Sequence, residues 1–334
     1  MAVLGHNRRK VIKLMAAGAA AFSLPAAALA AAPKSSVSLF KWHGFAMGAE
    51  VSLQLFHPDE KAARQIIDHA IKIIRNMENL FSLYQTGSVI TRLNRDGYLP
   101  QPPADFTDLL RRANRISQRT SGAFDITVQP LWHYYKARFL DQKNDFIWTP
   151  DAEFRAARAL VDYQKISILP ERIAFERPNM AITLNGIAQG YATDKVSDYL
   201  KSEGMTSVLV DMGEYRALGP QPDQSPWRIA LADPEHIGAV SDILEVNQGA
   251  VATSSGAGDV FDQSGKYHHM MDPHTGQSAD KYLSVTVTAP EATLADALST
   301  AFCSMEPKQI EKCLKSLPSV TARLSSIGGG VTVF

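Results

Sequence analysis

Between Val37 and Phe56 apolar and polar residues alternate with a period of two, and directly afterwards the period changes to that of a helix. The alternation predicts two strands with a bend at Met47 and Gly48. Pro58 and Asp59 open a long helix on which Ala63, Ile66, Ile67, Ala70, Ile74, Met77 and Phe81 fall on one face at three- and four-residue spacing. A second helix is expected over Ala104–Arg119, ending near Ser121 and Gly122, with shorter ones over Pro130–Phe139 and Asp151–Val161. After Tyr163 the texture becomes one of short apolar runs between turn residues: 166–169, 173–175, 181–184, 207–210, 227–231 and 284–288. One prominent helix interrupts them, starting after Asn185–Gly186, covering Ala188 to Glu203 and stopping at Gly204. The pattern is a mixed sheet flanked by helices, an α+β fold. The polar stretch from Lys143 to Pro150 is too short to be a convincing linker, so residues 37–334 read as one domain with two lobes.

The first thirty residues read as an address. Arg8, Arg9, Lys10 and Lys13 form a basic head, Leu14 to Leu24 is apolar, and Ala28, Leu29 and Ala30 give a small-x-small cleavage pattern. The apolar run is about half of the ~20 residues that span a bilayer, so it predicts a removable signal and no stable membrane insertion. The adjacent arginines resemble a twin-arginine signal, and the expectation is export to the periplasm. Formal net charge is +0, which removes the global electrostatic reason to expect nucleic acid as a partner. Cys303 and Cys313 have no disulfide framework around them and read as small buried hydrophobes.

Three segments carry chemistry. In Leu184-Asn185-Gly186-Ile187-Ala188-Gln189-Gly190-Tyr191 a strand is expected to pass into a helix through small residues. Helix N-termini present unpaired N–H groups, so this turn is a natural seat for phosphate; the alternative is that the small residues only let the helix pack closely on the sheet. In His268-His269-Met270-Met271-Asp272-Pro273-His274-Thr275-Gly276 three histidines and an aspartate invite a transition-metal reading, but the spacing fits no common structural-zinc pattern. A strand entering a tight turn, with one histidine facing a pocket, fits better. Third, Asp296 and Thr300 lie four apart in a helix expected after Pro290, placing a carboxylate and a hydroxyl on one face. Such hard oxygens suit Mg²⁺; locally, a cap and a back-bonded threonine would explain them equally.

Taken in order, these segments resemble the motif series of the ApbE-type FAD:protein FMN transferases. Further matching pieces are Met47-Gly48, Tyr84, the run from Thr120 to Val128, and Ala252-Thr253-Ser254-Ser255-Gly256, so the resemblance covers nearly everything after Val37. It implies a two-lobed domain with a largely antiparallel sheet and a cleft that holds FAD, with Mg²⁺ at its pyrophosphate. Carried over position by position, Met47, Tyr84, Asp125, Ile126 and Thr127 would line the flavin or adenosine pocket, with Thr183 and Gln189 beside them. His269 and Met270 would lie along the cofactor. Gly186 would offer its carbonyl to the metal, and Asp296 and Thr300 their side chains. The resemblance implies transfer of FMN from FAD onto a Thr or Ser hydroxyl of an acceptor flavoprotein, with AMP leaving and with His269 or Asp272 as base.

Three positions depart from that pattern. Thr183 stands where an acidic residue is usual, Gln189 where a Lys is usual, and Met212-Gly213-Glu214 replaces a longer Gly-Gly-Asp turn, with Arg216 close behind. The competing readings are an FAD carrier, a slow FAD pyrophosphatase, and a metalloenzyme built on His268, His269 and His274.

Overall fold

The computed structural model describes residues 37–141, 148–236 and 238–334. The leader expected over residues 1–30 lies outside them. Strands β1 (Ser38–Ala46) and β2 (Ala49–His57) form a hairpin whose two-residue turn is Met47-Gly48. Both turn residues have positive φ, 54° and 83°, the combination that a tight hairpin of this hand requires. Gly48 adopts it freely; Met47 does so against the usual steric cost. Helix α1 (Glu60–Phe81) follows, capped by Asp59, whose carboxylate accepts the Ala62 N–H at 2.8 Å. All seven of its expected apolar positions are buried, together with Leu80. Next come α2 (Val89–Asp96), the short strand β3 (Tyr98–Pro100) and α3 (Ala104–Arg119). A 3₁₀ turn over Ile126–Val128 leads into α4 (Gln129–Asp141), then α5 (Ala152–Arg158) and the strands β4 (Ile166–Leu169) and β5 (Arg172–Phe175).

The second half supplies α6 (Ala188–Ser202), β6 (Val208–Asp211), β7 (Tyr215–Leu218), β8 (Trp227–Ala232), β9 (Val240–Val246), β10 (Gly249–Ser255) and β11 (Tyr282–Ala289). Helices α7 (Ala292–Phe302) and α8 (Pro307–Leu314) and strands β12 (Thr321–Ser326) and β13 (Val331–Val333) complete it. The main sheet has eight strands in the order β1-β2-β6-β7-β10-β11-β12-β13, and every pairing within it is antiparallel. Strands β3, β5 and β4 make a small second sheet, and β8–β9 a separate hairpin.

The sheet's two faces bury different partners because successive side chains alternate. Val208 and Val210 face α1 and α6, whereas Leu209 between them joins Ala217, Val251 and Trp227 under the β8–β9 hairpin. On the helical side the core divides. One cluster joins β1, β2 and β6 to α1 and to Val196 and Leu200 of α6. The other joins β10–β12 to α3, α7 and the first turns of α6, through Ala188, Tyr191 and Ala192. Helix α6 is therefore common to both lobes, and Met47 packs against both clusters from the hairpin tip. Cys303 and Cys313 are free and buried.

One expected strand is absent. Residues 181–184 form no regular element and join no sheet among the described residues. Their backbone groups are met singly: the Asn94 side chain exchanges two 2.8 Å hydrogen bonds with Ile182, and the Thr183 N–H donates to the Ile126 carbonyl at 2.8 Å. With those groups satisfied from α2 and the 3₁₀ turn, no ladder is needed. Among the described residues no helix is long and apolar enough to cross a membrane.

Candidate active site

A cleft of about 270 Å³ opens between the lobes. One wall is the start of α6 with the face of α7; the opposite wall is made by loops and the ends of α1 and α4. Met47, Tyr84, Asp125, Ile126, Thr183, Gln189, His269, Met270, Gly186 and Thr300 all line it, so most of the expected positions meet although they span the chain. Thr127, Asp272 and Asp296 do not form its surface.

Thr127 and Asp125 form a buried knot under the loop wall. Asp125 Oδ1 accepts from the Thr127 N–H at 2.8 Å and from its hydroxyl at 2.6 Å, while Oδ2 accepts the Tyr163 N–H at 3.0 Å. The Thr127 oxygen in turn accepts the Asp162 N–H at 2.7 Å. Burial pushes the Asp125 carboxyl up even against these donors. The pair fixes the loop from beneath, and only Asp125 and Ile126 reach the cleft. Asp272 does comparable work in its own turn: Oδ1 accepts the His274 N–H, Oδ2 accepts the Thr275 hydroxyl, and its carbonyl accepts the Gly276 N–H. Both carboxylate oxygens are committed to the turn and not to the cleft.

The histidines separate. Nδ1 of His269 lies 3.2 Å from the Asp259 amide nitrogen and 3.1 Å from its carbonyl oxygen. Burial lowers the His269 imidazole below its ordinary range, which favours the neutral ring. Burial also pushes His268 down, to about 4, and its Nδ1 has no hydrogen-bond partner among the described residues. His274 is exposed in the turn. Among the described residues no group of three or more His, Cys, Asp or Glu is assembled to hold a metal, which removes the support for the three-histidine metal reading.

The other wall is built from oxygen. Thr300 faces Gly186 so closely that a Cβ on Gly186 would sit 2.7 Å from Thr300 Oγ1, which only glycine avoids. One helical turn earlier, Asp296 is 3% exposed, and its Oδ2 accepts the Gly190 N–H at 2.9 Å. Burial raises its carboxyl to about 7. The buried Glu214, beside it, is raised further by its own burial and by the charges of Asp296 and Asp211. The helix start offers less to a phosphate than the sequence suggests, because the Ile187 and Ala188 N–H groups return to the Leu184 carbonyl and Gly190 serves Asp296. Gln189 lies against Gly213, whose φ of +97° and a would-be Cβ only 2.6 Å from Gln189 Nε2 require the glycine.

Sequence reasoning missed Trp132 of α4 and Phe81 of α1, which both line the cleft. Each falls inside an expected helix, where an aromatic residue reads as core. It also missed Asp259, which bonds the backbone and the ring of His269. No local pattern signals that contact.

An α+β domain with a cleft between its lobes, oxygen-lined on one side and sulfur- and aromatic-lined on the other, has the form of a small-molecule binding site. The sequence model of the ApbE family matches residues 47–324, and the chain belongs to that family. It is 31% identical over 254 residues to the FAD:protein FMN transferase of Vibrio cholerae, covering 74% of either chain. It is 29% identical over 276 residues to that of Haemophilus influenzae, covering 78% of either. Among solved structures, the ApbE protein of Thermotoga maritima superposes with a TM-score of 0.74 at 28% identity, covering 88% of this chain and 96% of that one. The flavin transferase ApbE of Vibrio cholerae superposes with a TM-score of 0.75 at 24% identity, covering 89% and 97%.

Proposed function

We propose that this enzyme transfers the FMN half of FAD onto a Thr or Ser hydroxyl of an acceptor protein and releases AMP. The observation that carries the reading is the meeting of Gly186 with Thr300, one turn from Asp296, on the oxygen-lined wall of a cleft that Met47, Tyr84 and Trp132 also line. The names of the relatives give the activity to which that geometry is fitted.

The donor set is one carboxylate, one hydroxyl and one backbone carbonyl, all hard oxygens, which fits Mg²⁺ and not a softer metal. Thr300 and the Gly186 carbonyl, at the cleft surface, would hold the ion together with Asp296, which lies just beneath that surface one turn from Thr300 with Oδ2 on the Gly190 N–H. When bound, it supplies positive charge against the negative charge that builds on the leaving phosphate. The chain's own residues do the rest. Tyr84 and Trp132 offer aromatic faces for the isoalloxazine ring, and Met47 and Met270 pack along it. The acceptor hydroxyl oxygen bonds to the FMN phosphorus as the pyrophosphate P–O bond breaks and AMP departs. Its proton goes to the neutral His269 in the tautomer whose Nδ1–H donates to the Asp259 carbonyl at 3.1 Å, which is the form that leaves the Nε2 lone pair free to receive it. Asp272 is the weaker candidate for that role, since both of its oxygens serve the turn.

The basic head and apolar run of residues 8–24 support export before the enzyme meets its acceptor. Incubation with FAD, Mg²⁺ and a candidate acceptor tests the activity. In-gel flavin fluorescence on the acceptor, lost with Asp296→Ala, is the expected result. Tightly bound FAD with no labelling of any acceptor would make the protein a flavin carrier; free FMN and AMP without acceptor would make it a pyrophosphatase.

A further inference from the structure

The two helices that form the oxygen wall cap each other. Neither caps itself: Ile187 and Glu291, which precede α6 and α7, make no side-chain cap hydrogen bond. Instead Asp296 on α7 accepts the Gly190 N–H in the first turn of α6 at 2.9 Å. In return Asp194 on α6 accepts three donors from the start of α7. Its Oδ1 takes the Ala292 N–H at 2.8 Å, and its Oδ2 takes the Thr293 N–H at 2.8 Å and the Thr293 hydroxyl at 2.5 Å. The helices touch at this crossing, since a Cβ on Gly190 would stand 2.3 Å from the Ala292 carbonyl oxygen and 2.8 Å from the Asp296 Cβ. Asp194 is 6% exposed, and Arg216 neutralises it through Nη1 at 2.7 Å.

A buried carboxylate is costly unless it is paired and fully hydrogen-bonded, and Asp194 is both. Four hydrogen bonds in different directions leave α7 one register and one rotation against α6. Asp296 and Thr300 ride on α7 while Gly186 precedes α6, so the crossing fixes the distance between the two sides of the oxygen set. We infer that Asp194, backed by Arg216, is a positioning residue for the reaction: through α7 it sets where Asp296 and Thr300 stand opposite Gly186. The inference rests on the reading of those three as the Mg²⁺ donors. It adds a residue that touches neither metal nor substrate, and one that no local sequence pattern marks.

Two measurements on the purified protein test it, one of them independent of any metal. Amide hydrogen exchange in the metal-free protein reports on the lock. Asp194→Ala is expected to speed exchange about tenfold or more at Ala292 and Thr293 and, across the crossing, at Gly190, whose own partner is untouched. FAD affinity with and without MgCl₂ reports on its purpose. The affinity gained on adding Mg²⁺ is expected to fall about tenfold in Asp194→Ala, with affinity in EDTA unchanged. In the double variant with Asp296→Asn the gain falls no further than in Asp296→Asn alone, because both act on one element. Should Asp194→Ala fail to fold, Thr293→Val removes a single bond of the lock at constant shape and is expected to lower the gain about threefold. An intact Mg²⁺ gain in the folded variants, or losses that simply add, would overturn the inference and leave Asp194 a structural residue. If the wild type shows no Mg²⁺ gain at all, it is the metal reading that fails; unchanged exchange at Gly190 then removes the lock as well, and faster exchange keeps it.

Discussion

The two walls of the cleft are built in opposite ways. The oxygen wall is part of the core: Asp296, Gly190 and Asp194 are buried between two helices, and glycine is required at both points of closest approach. The facing wall is a set of loop tips and helix ends. Tyr84 is 70% exposed, Met47 sits on a hairpin turn, and His269 is held through the backbone of Asp259. The contrast teaches how the work is divided. Charge on phosphorus must be met by groups that do not move, since preorganised dipoles act without reorganisation at the moment of reaction. In the proposed reaction a broad apolar ring needs only surfaces that can close on it.

Asp296→Ala should have the largest effect, lowering the rate of acceptor labelling by about 10²–10³-fold as measured by fluorescence of the flavinylated product, the scale for losing one fixed electrostatic group. A milder result would break the contrast, because it would make the oxygen wall as replaceable as the loops. Gly186→Ala comes next. Its Cβ would fall 2.7 Å from Thr300 Oγ1, and the displacement should cost about 10²-fold in kcat while the melting temperature changes little.

The pH dependence of stability sharpens the same point. Burial holds the Asp296 carboxyl at about 7 against an ordinary 3.8, so the native state keeps a proton that the unfolded chain releases. The stabilisation from this group is complete below the unfolded value and is lost as pH rises from about 4 to about 7. Asp211, raised to about 6, and Glu214 add in the same direction. The melting temperature of metal-free protein should therefore fall across that window. Mg²⁺, which needs the carboxylate ionised, should restore it most at the upper end, and Asp296→Asn should flatten the slope. A melting temperature that rises over the same window would contradict the burial of this wall.

The smallest effect is expected on the loop wall. Trp132→Ala or Tyr84→Ala should raise the KM for FAD by about two- to tenfold with kcat nearly preserved, the scale of one aromatic contact. A collapse in kcat would show that these residues position the reacting atoms and do not merely hold the ring.

Much of this molecule is legible in its residues. The alternation before Phe56 and the 3.6-residue stripe of α1 appear in the structure as written, because a half-buried hairpin and an amphipathic helix each carry their burial pattern locally. The end of α6 at Gly204, with φ +78°, is equally local. Most of the cleft was found through a resemblance carried by short motifs. Residues 181–184 misled because an apolar, β-branched run looks the same whether its partner is a strand or an Asn side chain from α2. Thr127 was placed in the site by the resemblance and Asp272 as a candidate base, while the structure spends their side chains on holding loops. Trp132, Phe81, Asp259 and Asp194 carry no local signal for what they do.

Periodicities and turn residues decided which segments would be strands and helices, because those preferences act between near neighbours in the chain. The tertiary structure alone decided which carboxylates face the cleft and which are consumed behind it. A carboxylate's role depends on the donors around it, and for Asp194 and Asp296 these come from about a hundred residues away.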